Sequence, residues 1–228
     1  MLKSSDERDV WFIRHGETDA NAGDEPRIRG MEDVPLSEKG TGQVTALGAE
    51  IANQGGVDMV VHSGLSRSRD TAAEVAMASH ATLSPLPGLK PWNLGFLTGM
   101  PVKEAVPYIV QHVKEMPDTA VMGGESFNEF KRRAFTGLQE ALDLSTGQRL
   151  AIVSHHWIER LVKAWQAAGA PADLTTDPDV VLDEGNGTGT AELLTVDANA
   201  IRQAVRADPA VKRRKLNGSS KVFLEARA

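Results

Sequence analysis

Short apolar runs of strand type alternate with segments of helical period along most of this chain. That alternation implies an α/β fold, a three-layer sandwich with a mostly parallel central sheet flanked by helices. Two further observations agree. The segments richest in histidine, arginine and glycine each follow one of the apolar runs, where open α/β sheets bind ligands. The chain of 228 residues is 41% apolar and shows no internal repeat, enough for one sizeable core.

Trp11-Phe12-Ile13 is the first expected strand, and residues 40–53 follow as a helix with Val44, Leu47 and Ile51 on one face. Met59 to Val61 form the second strand, and Ser66 to Ala78 the next helix, with Thr71, Val75 and Ala78 in register. Residues 101–115 carry Val102, Val106, Ile109, Val110 and Val113 at helical spacing. Another helix starts near Ser126, burying Phe127, Phe130, Ala134, Leu138 and Leu142. Leu150 to Val153 is a buried strand, followed by a helix with Ile158, Leu161, Val162 and Trp165 inward; Ala191 to Val196 is a further strand. Pro85 to Pro91 and residues 170–189, rich in Pro, Asp or Gly, are expected to be loops. The organisation expected is a polar segment at 1–9, one domain at 10–205 and a C-terminal tail at 206–228, where Val222-Phe223-Leu224 is an edge strand or a docked tail.

Composition excludes several classes. A net charge of −6 argues against a general nucleic-acid binder, and Lys212-Arg213-Arg214-Lys215 is a local basic run, read as a solvated tail. No apolar stretch is long enough to span a membrane, and the polar start has no signal-peptide core, so a cytoplasmic protein is expected. The sequons at Asn186 and Asn217 are then turns. With zero cysteines there is no disulfide, thiolate metal site or cysteine nucleophile. Neither a cofactor nor a metal is expected.

The chemistry concentrates in Arg14-His15-Gly16-Glu17-Thr18, reached directly from the first strand. A neutral imidazole attacks phosphorus, arginine binds phosphoryl oxygens bidentately, and glycine lets backbone N–H groups approach an anion. Ser63-Gly64-Leu65-Ser66-Arg67 and Ser154-His155-His156-Trp157 also follow strands, and Gly124-Glu125-Ser126 opens a helix. Three distant segments thus converge on one sheet edge by topology alone.

With these blocks in this order, and Pro35-Leu36-Ser37-Glu38-Lys39-Gly40 before the first helix, the chain resembles the histidine phosphatase superfamily, which includes the cofactor-dependent phosphoglycerate mutases, from about Val10 to about Val196. The resemblance implies a phosphoglycerate mutase-like fold and a small phosphorylated substrate. It implies His15 as the nucleophile, Arg14 and Arg67 as phosphoryl ligands and His155 as a second histidine donating to the same group. It places Asn21 as a site-ordering or phosphate contact, with Gly16 and Thr18 shaping the turn. His156 stands where relatives commonly have glycine and either narrows the pocket or faces outward.

One family feature is missing. Pro91 falls where a glutamate that protonates the leaving oxygen is expected, before Gly95-Phe96-Leu97-Thr98-Gly99. Glu125 is the leading substitute as proton donor, although an acid in the first turn of a helix also suits the helix dipole. A substrate with a good leaving group is the second explanation, and weak or lost activity the third. The readings are therefore a metal-independent phosphatase working through phospho-His15, a mutase-type phosphoryl transfer, or a non-catalytic phosphate- or phosphoprotein-binding module. His62, His80 and His112 read as loop or surface histidines. Arg69 is expected to face solvent or pair with Glu74, and Arg27 and Arg29 to be an exposed basic loop or anion contacts. Trp92 and Phe96 border the site and serve the core or stack on substrate. Oligomeric state is not written in the sequence.

Overall fold

The computed structural model describes residues 6–22, 25–183 and 187–209. Its five-stranded sheet has the order β3-β2-β4-β1-β5, from β1 (Glu7–Arg14), β2 (Met59–His62), β3 (Thr82–Pro85), β4 (Leu150–Ser154) and β5 (Ala191–Asp197). The four strands from β3 to β1 are parallel; β5 closes the β1 edge antiparallel, Val10 opposite Leu194. The helices are α1 (Glu38–Asn53), α2 (Ser66–Ser79), α3 (Val102–Lys114), α4 (Phe127–Leu144), α5 (His156–Ala167), α6 (Pro178–Leu182) and α7 (Ala198–Ala207).

The three layers follow from the period-2 alternation of the strands. Ile13, Val60, Ala151 and Val153 point to one face and pack with Leu47 and Ile51 of α1 and Ala72 and Val75 of α2. Val10, Phe12, Val61, Leu150 and Ile152 point to the other, where Phe130 and Leu138 of α4, Leu161 and Trp165 of α5, and Ile201 of α7 meet them. Helix starts agree with local chemistry. Ser37 caps α1 by accepting from the Gly40 amide, and Ser126 with Glu129 forms a capping box on α4.

Several expectations need correction. Strand β1 begins at Glu7, so the polar start is partly strand, and α7 runs to Ala207 past the expected domain end. Strand β3 and helices α6 and α7 were not expected; β3 is a short, largely exposed edge strand. The 85–91 segment contains a 3₁₀ turn at Pro87–Leu89. Val106 of α3 is exposed to solvent, so the apolar stripe of that helix is wider than its core contact. His62 ends β2 in the interior and accepts from the Gly64 amide at 3.1 Å, and His112 is buried on α3. Arg69 faces solvent, one of the two alternatives expected, and pairs with Asp70 at 2.9 Å, while Glu74 accepts from Thr45. The basic run at 212–215, Val222-Phe223-Leu224, Asn186 and Asn217 lie outside the described residues.

The turn after β1 is seated on α1 by backbone contact. A Cβ on Gly40 would lie 2.0 Å from the Glu17 carbonyl oxygen, and one on Gly16 2.7 Å from the Val44 side chain. Gly40→Ala should therefore destabilise the protein by about 1–3 kcal/mol, measured by urea denaturation. An unchanged midpoint would show that the turn has room to shift.

Candidate active site

Because β4 lies between β2 and β1, their carboxyl ends stand side by side. The chain leaves them at His15, Ser63 and His155, the site expected for an open sheet. The amide of His15 donates to Ser154 at 3.1 Å, and Ser68 Oγ donates to the Val153 carbonyl at 2.7 Å, tying the three strand ends together. A cavity of about 700 Å³ opens there, with Arg14, His15, Asn21, Arg67 and His155 in its wall.

His15 is 6% exposed. Its Nδ1–H donates to the Gly16 carbonyl at 2.8 Å, and its Nε2 accepts from Arg67 Nε at 3.2 Å. The carbonyl fixes the tautomer, leaving the lone pair on Nε2. Burial, then the charge of Arg67, pushes the His15 pKa down to about 3. The imidazole is neutral at physiological pH.

Arg67 reaches this position from the first turn of α2, with Nη1 and Nη2 donating to the Glu32 and Gly30 carbonyls at 2.7 and 3.1 Å. Burial lowers its pKa to about 10, so it stays cationic. The ring of His155 stands edge-on to His15 with centroids 5.1 Å apart. Its Nε2 meets Ser63 Oγ at 2.8 Å, and its buried Nδ1 has no partner. Burial holds His155 well below the ordinary histidine range. Thr18 Oγ1 donates to Asn21 Oδ1 at 2.8 Å, fixing the turn that carries Asn21 into the cavity wall. Gly16 donates its amide to Thr71 at 3.1 Å and has no place in the wall.

Glu125 is a correction. It is absent from the cavity wall: Oε1 accepts from the Asn93 amide at 3.0 Å and, very closely, from Arg133 Nη2, while Oε2 accepts from Arg133 Nε at 3.2 Å. Arg133 also donates to the Lys90 and Pro91 carbonyls at 2.9 Å each. The pair is a clasp that positions the segment carrying Pro91, and Pro91 itself is in the wall. Among the described residues the carboxylate in that wall is Asp183. Trp92 is fully buried, stacked on Phe130 at 5.9 Å with its edge in the wall, whereas Phe96 is exposed against Tyr108. Arg27 donates to Glu25 and the Gly99 carbonyl, Arg29 to Glu32, and both line the cavity. His156 faces inward, its Nδ1 3.5 Å from Arg14 Nη1 and its Nε2 2.7 Å from Arg160 Nη1.

Sequence reasoning did not single out Ser63, Arg133 or Arg160 as individual site residues. Arg160 lies one helical turn after His156, so the i,i+4 spacing was the available signal. No group of three or more His, Asp or Glu side chains converges to hold a metal, and no helix is long and apolar enough to cross a membrane, among the described residues.

Residues 10–178 match the model of the histidine phosphatase superfamily (branch 1). The chain belongs to this superfamily. Over 150 residues, 64% of this chain and 68% of the relative, it is 34% identical to the Yersinia pestis protein named "Probable phosphoglycerate mutase GpmB". Among solved structures it is similar to the mycobacterial glucosyl-3-phosphoglycerate phosphatase, with a TM-score of 0.64 and 20% identity over 85% of this chain and 94% of that one. The α-ribazole phosphatase of Shigella flexneri aligns with a TM-score of 0.62 and 22% identity over 81% and 89%. At these identities the two structures speak for the fold of this superfamily member. The superfamily's members are phosphatases or mutases, which places an enzyme here.

His156 joins His15 and His155 as a buried neutral histidine, its pKa lowered by burial and then Arg14 to about 3. Unfolded, each of the three titrates near pH ~6.5, so below that pH the unfolded chain binds protons the folded one refuses. The contribution of His15 and His156 to stability is full above pH ~6.5 and is lost as pH falls toward 3, by up to ~1.4 kcal/mol per pH unit for each, and His155 acts in the same direction. His156→Asn should flatten the stability–pH curve over this window by about one proton, read by urea denaturation at a series of pH values. A parallel curve would place His156⁺ in the folded protein.

Proposed function

We propose that this superfamily member is a metal-independent phosphatase that hydrolyses small phosphorylated substrates through phospho-His15. The observation that carries the proposal is the state of His15: neutral, with its Nδ1–H held by the Gly16 carbonyl and its Nε2 accepting from Arg67 Nε, a donor that an arriving phosphoryl oxygen takes over, freeing the lone pair. In the first step Nε2 forms a bond to phosphorus as the phosphorus–oxygen bond to the leaving group breaks on the opposite side. Arg14 and Arg67 bind the phosphoryl oxygens and stabilise the charge that spreads over them. With the Ser63 hydroxyl donating to Nε2, His155 offers an Nδ1–H to the same group. Water then attacks the phosphohistidine, releasing inorganic phosphate and restoring the imidazole lone pair.

The leaving group must depart with little help. Pro91 occupies the wall, and the carboxylate of Glu125 is clasped by Arg133 and the Asn93 amide. A missing general acid typically costs ~10²–10⁴-fold for a poor leaving group. We therefore assign the enzyme to substrates whose leaving group is already a good one, such as acyl phosphates or pyrophosphates. The name of the Yersinia relative supports a second reading, mutase-type transfer. Efficient conversion of 3-phosphoglycerate to 2-phosphoglycerate with a bisphosphoglycerate primer would establish it in place of hydrolysis.

His15→Ala should abolish hydrolysis of p-nitrophenyl phosphate in EDTA, and the acid-labile, base-stable phosphoenzyme of the wild type should vanish with it. Phosphate binding without any trappable phosphoenzyme would leave a binding module. Across a series of aryl and alkyl phosphates, kcat/KM should fall steeply as the leaving group becomes more basic; a flat series means that a protein acid operates. Glu125→Gln should lower stability by about 1–3 kcal/mol and reduce all substrates by a similar factor. Selective loss of the alkyl esters would reinstate Glu125 as the proton donor.

A further inference from the structure

Arg160 stands apart from the groups that hold the transferred phosphoryl. It rises from the second turn of α5, is 5% exposed, and lines the same cavity. Nη1 donates to His156 Nε2 at 2.7 Å, and the guanidinium lies 5.7 Å from the centre of the Trp157 ring. Nη2 is shielded from water and has no hydrogen-bond partner. A buried guanidinium N–H without an acceptor is costly, and a ligand oxyanion is one of the partners that would satisfy it.

The neighbouring contacts leave a further donor over. A neutral imidazole has one N–H and one lone pair. His156 spends its lone pair on Arg160, so its Nδ1–H faces Arg14 Nη1, another donor, at 3.5 Å. Arg14, His156 and Arg160 therefore form a row of donors, one imidazole wide, running from the phosphoryl site along the cavity. Val102, Val106 and Val110 of α3 and Leu182 supply an apolar stretch of the wall. Arg29, also in the wall, is less suited to the role, because Glu32 at 3.1 Å already holds it and its side chain is 28% exposed. Asp183 is the opposing charge: it lies in the wall and pulls electrostatically on Arg160.

We propose that Arg160, with the Nδ1–H of His156, is a second anion subsite, and that the substrate is a phosphorylated compound with an apolar middle and a second oxyanion, carboxylate or phosphate, at its far end. This deepens the reading of His15 as the phosphoryl site and rests on it. Arg160 then sets specificity and does not touch the reacting atoms. Asp183 tempers its charge.

The test is isothermal titration of the full chain with two non-hydrolysable ligands, phenylphosphonate and 4-carboxyphenylphosphonate. The carboxylated ligand should bind wild type about tenfold or more tightly than the plain one. Arg160→Met should erase that advantage and leave phenylphosphonate within about threefold. Asp183→Asn should enlarge the advantage, which a purely structural Arg160 would not do, and it serves as the decisive variant if Arg160→Met does not fold. Equal binding of the two ligands by wild type, an advantage that survives Arg160→Met, or one unmoved by Asp183→Asn overturns the subsite. Normal phosphonate binding without a trappable phosphoenzyme would overturn hydrolysis and leave the subsite standing. Binding of neither phosphonate would remove the phosphoryl site and the subsite together.

Discussion

Keeping an imidazole uncharged beside guanidinium groups is the constraint on which the rest of this architecture depends. A histidine in water would be partly protonated near neutrality and a poor nucleophile. Here its burial under the sheet edge, and the nearness of Arg67, make the neutral form the stable one. The arrangement needs strand ends that are adjacent yet distant in sequence, and the insertion of β4 between β2 and β1 provides them. It also needs a turn that can press a backbone carbonyl against the histidine, which the glycine at 16 and its seat against α1 allow.

Gathering several cations at one sheet edge is costly, and backbone carbonyls offset part of the cost. Arg67 donates to the Gly30 and Glu32 carbonyls. These contacts carry no net charge, so they orient the guanidinium without neutralising it. A guanidinium aimed in advance is the preorganisation that electrostatic stabilisation of a transition state requires.

Most of the sheet, and the convergence of His15, Arg67 and His155, were legible because each depends on local signals: an apolar run of strand length, followed by a polar turn. The unread elements lacked that contrast. Strand β3, with the sequence Thr82-Leu83-Ser84-Pro85, has no apolar run and, among the described residues, pairs only along β2. Helix α7 did carry a signal, an Asp197 cap followed by Ile201 and Val205 one turn apart. The direction of Glu125 was not legible for a different reason. Its position before the α4 cap is local, but its direction is set by Arg133 on the next turns of that helix and by the Asn93 amide. His62 and His112 look like surface residues by type, and only tertiary packing buries them.

Helix α3 divides its own apolar residues between two tasks. Ala105 and Val113 are sealed into the core, while Val102, Val106 and Val110 form wall for the cavity. A side chain exchanged on the second set alters the shape and wettability of the chamber without loosening the sheet or disturbing an atom of the histidine–arginine centre. Over evolutionary time that separation lets one scaffold drift between molecular clienteles in small, individually viable steps, its reaction inherited intact while its appetite changes.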